Sequence, residues 1–265
     1  MTTAKQLSGK TALITGSTSG IGLATAHVLA QHGANIVLHG LVADEEGQAM
    51  AKEFESSYGI QAMFNGANLA QPEAISALMD SAIRTVGAVD ILVNNAGIQH
   101  TETLEAFPEE KWQAIIAINL SAVFFTMQKA IPTMKQKGWG RIINVASVHG
   151  LVASLKKSAY CAAKHGVVGV TKVAALENAE YGITANSICP GWVDTPLISA
   201  QIQDFADKQG IEYAQAKRDL VTTKQAIPDM AQPNQIGELI LFLCTDAARN
   251  ISGASLPIDG AWTAQ

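Results

Sequence analysis

The chain carries 265 residues, 48% of them hydrophobic and 15% charged, with a formal net charge of −5. Apolar runs alternate with amphipathic stretches throughout, with no linker, repeat or charge block, which fits one large α/β domain (1–265) better than two small ones. The acidic balance argues against a nucleic-acid-binding face, and Cys161, Cys189 and Cys244 lie far apart without metal-ligand spacing, as buried free thiols of a reducing cytosol do.

From the N-terminus, Thr11 to Ala43 contains no Asp, Glu, Lys or Arg. Gly16, Gly20, Gly22, Gly33 and Gly40 and many hydroxyls interrupt it, so no stretch of ~20 apolar residues forms there. Lys5 and Lys10 precede only a short apolar run, too short for a signal-peptide core. The expectation is a soluble, cytoplasmic protein with no membrane partner and no metal.

Seven β-rich runs follow one another: "TALIT" at 11–15, "NIVLH" at 35–39, "QAMFN" at 61–65, "DILVNN" at 90–95, "RIINVAS" at 141–147, "TANSIC" at 184–189 and "ASLPID" at 254–259. Between them, Ala24–His32, Pro72–Val86, Glu109–Lys137 and Ser158–Glu180 space apolar residues as helices do. Strands apolar on both faces and separated by helices predict a doubly wound parallel sheet of the Rossmann type, with ligands at the carboxyl ends of the strands. The polar stretch 194–228 breaks this rhythm before the last helix and strand, and reads as a helical lid over a site.

The first strand runs into "TGSTSGIG", Thr15 to Gly22, at the start of the first helix. Gly16 permits a sharp turn, and Gly20 and Gly22 let backbone approach a pyrophosphate at the helix N-terminus. Further along, "KKSAYCAAK" puts Tyr160 among Lys156, Lys157 and Lys164. Tyr160 and Lys164 are four apart, so they share a helix face. Bringing a phenol from about 10 to ~7 takes roughly 4 kcal/mol, and one ammonium about 4 Å away at an effective dielectric near 20 supplies that much. Lys164 is therefore expected to lower the pKa of Tyr160, while Cys161 points off that face.

The glycine spacing GxxxGxG, "NNAG" at 94–97, a serine after strand five and YxxxK at 160–164 resemble, in order and along essentially the whole chain, the short-chain dehydrogenase/reductase family. The resemblance implies a proton-transferring Tyr160, with Ser147 polarising the substrate oxygen and Asn119 holding a water chained to Lys164. It implies a nicotinamide cofactor held by Gly16, Ser17, Thr18, Ser19, Gly20, Ile21, Gly22, Leu41, Asn68, Leu69, Asn95, Ala96 and Gly97. Tyr160, Lys164 and, from "PGWVDTPL" at 190–197, Pro190, Gly191, Val193 and Thr195 complete that set. Members that prefer NADP usually carry Arg or Lys in the glycine turn or after strand two. Ser17, Thr18, Ser19, His39, Gly40 and Leu41 stand there instead, so NAD is expected, although the ribose-binding acid of many NAD enzymes is missing too.

At the variable end, Gln99, His149, Lys157 and Gln201 offer two amides, an imidazole and a cation, with Trp192 as a size-limiting wall. That set suits a small carboxylate. The segments "SVHG", "LKKSAY", "PGWVDTPL" and "DGAWTAQ" are similar to those of family members that reversibly oxidise (R)-3-hydroxybutyrate to acetoacetate, whose corresponding residues hold the carboxylate. The competing expectations are a 3-oxoacyl thioester reductase and a cofactor-binding regulator without catalysis. Relatives form homotetramers through two long helices, here near 109–137 and 158–180.

Overall fold

In the computed structural model, residues 5–264 are described. Seven parallel strands form one sheet in the order β3-β2-β1-β4-β5-β6-β7. They are β1 (Thr11–Ile14), β2 (Asn35–His39), β3 (Ala62–Asn65), β4 (Ile91–Asn94), β5 (Gly140–Val145), β6 (Ile183–Pro190) and β7 (Ser255–Ile258). The doubly wound expectation holds, and the period-2 alternation of strand side chains explains it. Ala12, Ile14, Ile36, Leu38, Ile91, Val93, Ile143 and Val145 fill one core, together with α1 (Gly20–Gln31), α2 (Asp44–Tyr58) and α9 (Pro233–Cys244). Leu13, Val37, Leu92 and Ile142 face the other way, toward α3 (Pro72–Val86), α5 (Ala122–Lys137) and α6 (Ser158–Asn178). Strand order reverses between β1 and β4, so the loops leaving them diverge and open a crevice at their carboxyl ends.

Three local features bear on the site, the first a departure from the sequence expectation. The helix expected over Glu109–Lys137 is broken into α4 (Glu109–Ile116), a π-helical turn (Ala117–Ser121) and α5. Its hydrophobic period does not register the wider turn, which carries Asn119. By length and a mean hydropathy of 1.6 this run is apolar enough to cross a membrane. Instead Ala122, Val123, Met127, Ala130 and Met134 pack against the sheet. Second, β5 ends at Val145, and Ser147 stands beyond it as the N-cap of a short 3₁₀ turn, Val148–Gly150. Third, 194–228 contains α7 (Pro196–Gln209) and α8 (Tyr213–Thr222), closed around Ile202, Ala206, Ala216, Val221 and Met230. Gln265, the last residue of "DGAWTAQ", lies outside the described residues.

Candidate active site

The turn after β1 is fastened on two sides. Thr15 Oγ1 accepts the backbone N–H groups of Asn95 and Ala96, each at 3.0 Å, while the Asn95 amide donates to the carbonyls of Thr15 and Gly16 at 2.9 and 3.0 Å. On the opposite side, the Gly16 N–H donates to His39 Nδ1 at 3.1 Å. A backbone N–H can only donate, so Nδ1 carries the lone pair and the ring proton sits on Nε2, 2.8 Å from the Ala67 carbonyl. Burial pushes the His39 pKa down, consistent with a neutral ring. Gly16 has φ +65°, and a Cβ there would lie 2.9 Å from Ala96 Cα. Ser19 precedes α1 in extended conformation without capping it, and the first turn of α1 has no acid, which leaves a helix N-terminus suited to phosphate.

A crevice of about 460 Å³ runs from this turn to the ends of β5 and β6. Thr18, Ser19, Gly20, Ile21, Leu41, Asn68, Leu69, Asn95, Ala96 and Gly97 line it with Gly16, and Ser147, Tyr160, Lys164, Pro190, Gly191, Val193 and Thr195 line its other end. Ser17 and Gly22 do not. Ser17 is buried and its Oγ accepts the His39 N–H at 2.9 Å. Gly22 packs on the turn itself, where a Cβ would fall 2.2 Å from the Gly16 carbonyl oxygen. Both therefore shape the cradle from behind, a correction to their expected place on its surface. Asn68 Oδ1 is partly spent on the Ala70 N–H at 3.0 Å.

At the far end, Lys164 is buried and its Nζ donates to the Val145 carbonyl at 2.7 Å. Nζ sits 5.6 Å from the centre of the Tyr160 ring. Desolvation pushes the Tyr160 phenol up to about 12, although the Ser147 hydroxyl draws it down. The same cause pushes Lys164 down to about 8. Burial therefore opposes the lowering expected from Lys164, to which the positive nicotinamide is expected to add. Helical spacing carries no account of burial, and here both groups are desolvated. Asn119 sits in the π-helical turn. Its Oδ1 accepts the Ile98 N–H and its Nδ2 donates to the Ile98 carbonyl, both at 2.9 Å, so its side chain is occupied in holding the loop after β4.

Beyond Tyr160, Lys157 Nζ donates to Gln99 Oε1 at 2.8 Å and lies 5.9 Å from the Tyr160 ring centre. Lys156 is exposed, with φ +62°, and its carbonyl accepts the Glu102 N–H. This left-handed residue turns the chain so that its neighbour enters the site. His149 is buried, packs edge-on to Tyr160 at 5.9 Å, and contacts Ser147 Oγ through Nδ1 at 3.3 Å. Its Nε2 and the indole N–H of Trp192 are buried without a hydrogen-bond partner among the described residues.

With this geometry, the similarity to known proteins is specific. The short chain dehydrogenase family profile matches residues 10–205. The chain belongs to the short-chain dehydrogenase family. It is 53% identical to the D-beta-hydroxybutyrate dehydrogenase of Cupriavidus necator, over 98% of this chain and 100% of that one. To the enzyme of the same name from Rhizobium meliloti it is 50% identical, over 97% and 99%. Among solved structures, L-sorbose reductase from Gluconobacter frateurii, complexed with NADPH and L-sorbose, superimposes with a TM-score of 0.92 at 29% identity, over 97% of this chain and 98% of that one.

Short-chain dehydrogenases bind a nicotinamide cofactor, and the glycine turn, the uncapped α1 terminus and the long crevice of this chain fit one. Of the expected carboxylate-binding set, His149 and Lys157 flank Tyr160, Gln99 joins through Lys157, and Trp192 is reached from His149 through Trp262. Gln201 sits partly exposed on α7, and no hydrogen bond among the described residues ties it to the other four. Sequence reasoning missed Trp262, which meets His149 at 5.6 Å and Trp192 at 5.9 Å. "DGAWTAQ" was legible as a signature, but nothing local in it points its tryptophan at a histidine over a hundred residues away. It missed His39 as well, weighing it only as an absent cation.

The His149 pKa is pushed down to about 4, first by burial and then by Lys157, His165 and Lys224. That is below the 6.5 of free imidazole, so the unfolded chain binds the extra proton between these values and acid there favours unfolding. Stability from this group is complete above about 6.5 and lost as pH falls toward about 4. In an NMR titration the ring protons of His149 should keep one shift from about pH 5.5 to about 8. A titration midpoint near 6.5 would show the ring to be solvated.

Proposed function

We propose that this short-chain dehydrogenase reversibly oxidises (R)-3-hydroxybutyrate to acetoacetate with NAD. The observation that carries the reading is the polar cluster beside Tyr160: Lys157 paired with Gln99, and the unpartnered His149 Nε2 and Trp192 Nε1. A carboxylate would draw on the cation and accept from the Trp192 N–H, and from His149 Nε2 in the tautomer where Ser147 donates to Nδ1, with Gln201 joining as the lid, 194–228, closes. The names of the two relatives at 53% and 50% identity support the same substrate.

Tyr160 exchanges the proton of the substrate hydroxyl, and Ser147 donates to the same oxygen. Lys164 fixes charge beside the phenol, and Asn119, by shaping the π turn, sets the path along which a water reaches that lysine. A nicotinamide cofactor held along the crevice, by Gly16, Ser19 and Gly20 at one end and Tyr160 and Lys164 at the other, would supply the hydride acceptor. Apolar residues exposed on the two long helices, Phe124, Val173 and Leu176, support a homotetramer assembled through 109–137 and 158–180. The setting of such metabolism is the cytoplasm.

Preference for NAD rests on the adenosine end. Lys164 is the one lysine or arginine among the residues lining the crevice, and it lies at the other end. His39, the nearest candidate, is held neutral by the Gly16 N–H. This disfavours the 3-oxoacyl thioester reductase reading, which would call for a basic NADP pocket. NAD should exceed NADP in kcat/KM, and equal efficiency would refute the assignment. Leu41→Arg, at a residue 74% exposed on the crevice wall, should raise NADP use by offering the 2′-phosphate a charge-assisted partner.

The decisive experiment is NAD reduction over a panel of 3-hydroxy acids, their thioesters and polyols. Turnover of the thioesters in place of the free acids would refute the proposed substrate, and no turnover at all would favour a regulator. Tyr160→Phe should abolish turnover while NADH still binds. Retention of more than about a tenth of the rate would refute the acid/base role, since such groups contribute roughly 10²–10⁴-fold.

Lys157→Ala should lower kcat/KM roughly tenfold to more than a hundredfold, since a charge-assisted hydrogen bond is worth ~1.5–3 kcal/mol. An uncharged 3-oxo ester should be affected much less. Lys156→Ala, at the exposed neighbour, should stay near wild type; equal effects of the two variants would refute the clamp.

A further inference from the structure

The aromatic wall of the substrate pocket is joined to the end of the lid by one buried side chain of the lid itself. Gln225 follows α8 and is 5% exposed. Its Oε1 accepts the backbone N–H of Trp192 at 2.8 Å. That N–H can only donate, which fixes the orientation of the amide. Nε2 makes long contacts to the carbonyls of Ile227 and Asp229, at 3.5 and 3.4 Å. The residues after Gln225 are tied to the C-terminal turn, where the Gly260 carbonyl accepts the N–H groups of Ala226 and Ile227 at 2.8 and 3.2 Å. Two glycines make room for the amide. A Cβ on Gly191 would stand 2.6 Å from Oε1, and one on Gly260 would stand 2.6 Å from Nε2.

Each glycine adjoins or nearly adjoins a wall residue, Gly191 before Trp192 and Gly260 two before Trp262. Trp192 is bound from both sides of its backbone, since its carbonyl accepts the Ala231 N–H at 3.0 Å. We propose that Gln225 is a positioning residue that locks Trp192 and Trp262 to the lid and so sets the length of acid the pocket accepts. The substrate half of this statement rests on the 3-hydroxy acid reading above; the joint itself does not.

Gln225→Met keeps the length of the side chain and removes the acceptor for the Trp192 N–H. Its KM for 3-hydroxybutyrate should rise roughly tenfold, the scale of a lost bond to a buried N–H, with kcat within about twofold. The ratio of kcat/KM for 3-hydroxyhexanoate to that for 3-hydroxybutyrate should rise, and NADH binding should be unchanged. Gln225→Leu likewise removes the acceptor in a side chain of similar volume and should shift KM and the chain-length ratio in the same direction. It provides the test if the methionine variant does not fold.

Wild-type KM and chain-length ratio in the soluble variants would overturn the proposal. So would a joint loss of kcat, NADH binding and thermal stability, which a merely structural residue would give. If the wild-type protein oxidises neither acid, the substrate reading has failed and the joint is read by acrylamide quenching of tryptophan fluorescence. Quenching should increase in Gln225→Met; unchanged quenching overturns the joint as well.

Discussion

Thr15 Oγ1 has two lone pairs, and both are taken by backbone N–H groups of the chain leaving β4. The amide of Asn95 returns two bonds to the chain leaving β1. These four bonds fix the gap where the sheet reverses its order, and the rest of the crevice inherits that spacing. Gly16 must lack a side chain because Ala96 is drawn against it, and Gly22 because the helix starts on the Gly16 carbonyl. The Gly16 N–H is then free to point away from β4, where His39 receives it. One constraint thus dictates a glycine turn, a neutral histidine and the absence of a fixed cation near the adenosine end.

At the other end of the crevice, burial outweighs proximity. Tyr160 and Lys164 share a helix face, yet the phenol moves up to about 12 and the ammonium down to about 8. Both shifts favour the neutral forms, because each charge would have to leave water. The Val145 carbonyl compensates part of that cost for the ammonium, and the Ser147 hydroxyl does so for the phenolate. A protonated phenol is suited to donate to a ketone oxygen in reduction. Oxidation needs the phenolate, and the positive charge of an oxidised nicotinamide favours it.

The parts of the site legible in sequence are those with short-range causes. Gly16 and Gly20 lie at positive φ as a tight turn requires, and Tyr160 and Lys164 sit one helical turn apart. Lys156 and Lys157 separate into an exposed and a partly buried residue, as their different offsets from Tyr160 suggested. Strand positions were legible to within a residue or two because each core-facing run is apolar on both sides. What was not legible depends on partners distant in sequence. The π turn follows from Asn119 reaching Ile98, and Ser17 turns inward because β2 brings His39 to it. Trp262 and Gln225 enter only when the last strand returns the C-terminus to the crevice. Desolvation, too, is a property of the assembled core, so spacing alone does not give the balance for the phenol.

Trp192 belongs to two packing units at once. One side contributes to the small core of α7 and α8, and the other meets Trp262, which in turn meets His149. The lid and the pocket wall therefore cannot be displaced independently without exposing indole surface. The same assembly leaves His149 Nε2 and Trp192 Nε1 buried and unpaired, at a cost of about 1–3 kcal/mol each. With Ser147 donating to His149 Nδ1, the proposed carboxylate would satisfy both groups and meet the Lys157 charge, whereas an alkyl or ester end would satisfy fewer. On the proposed function, specificity for an acid follows from groups left unsatisfied in the free protein, and specificity for a short one from the aromatic wall that buries them.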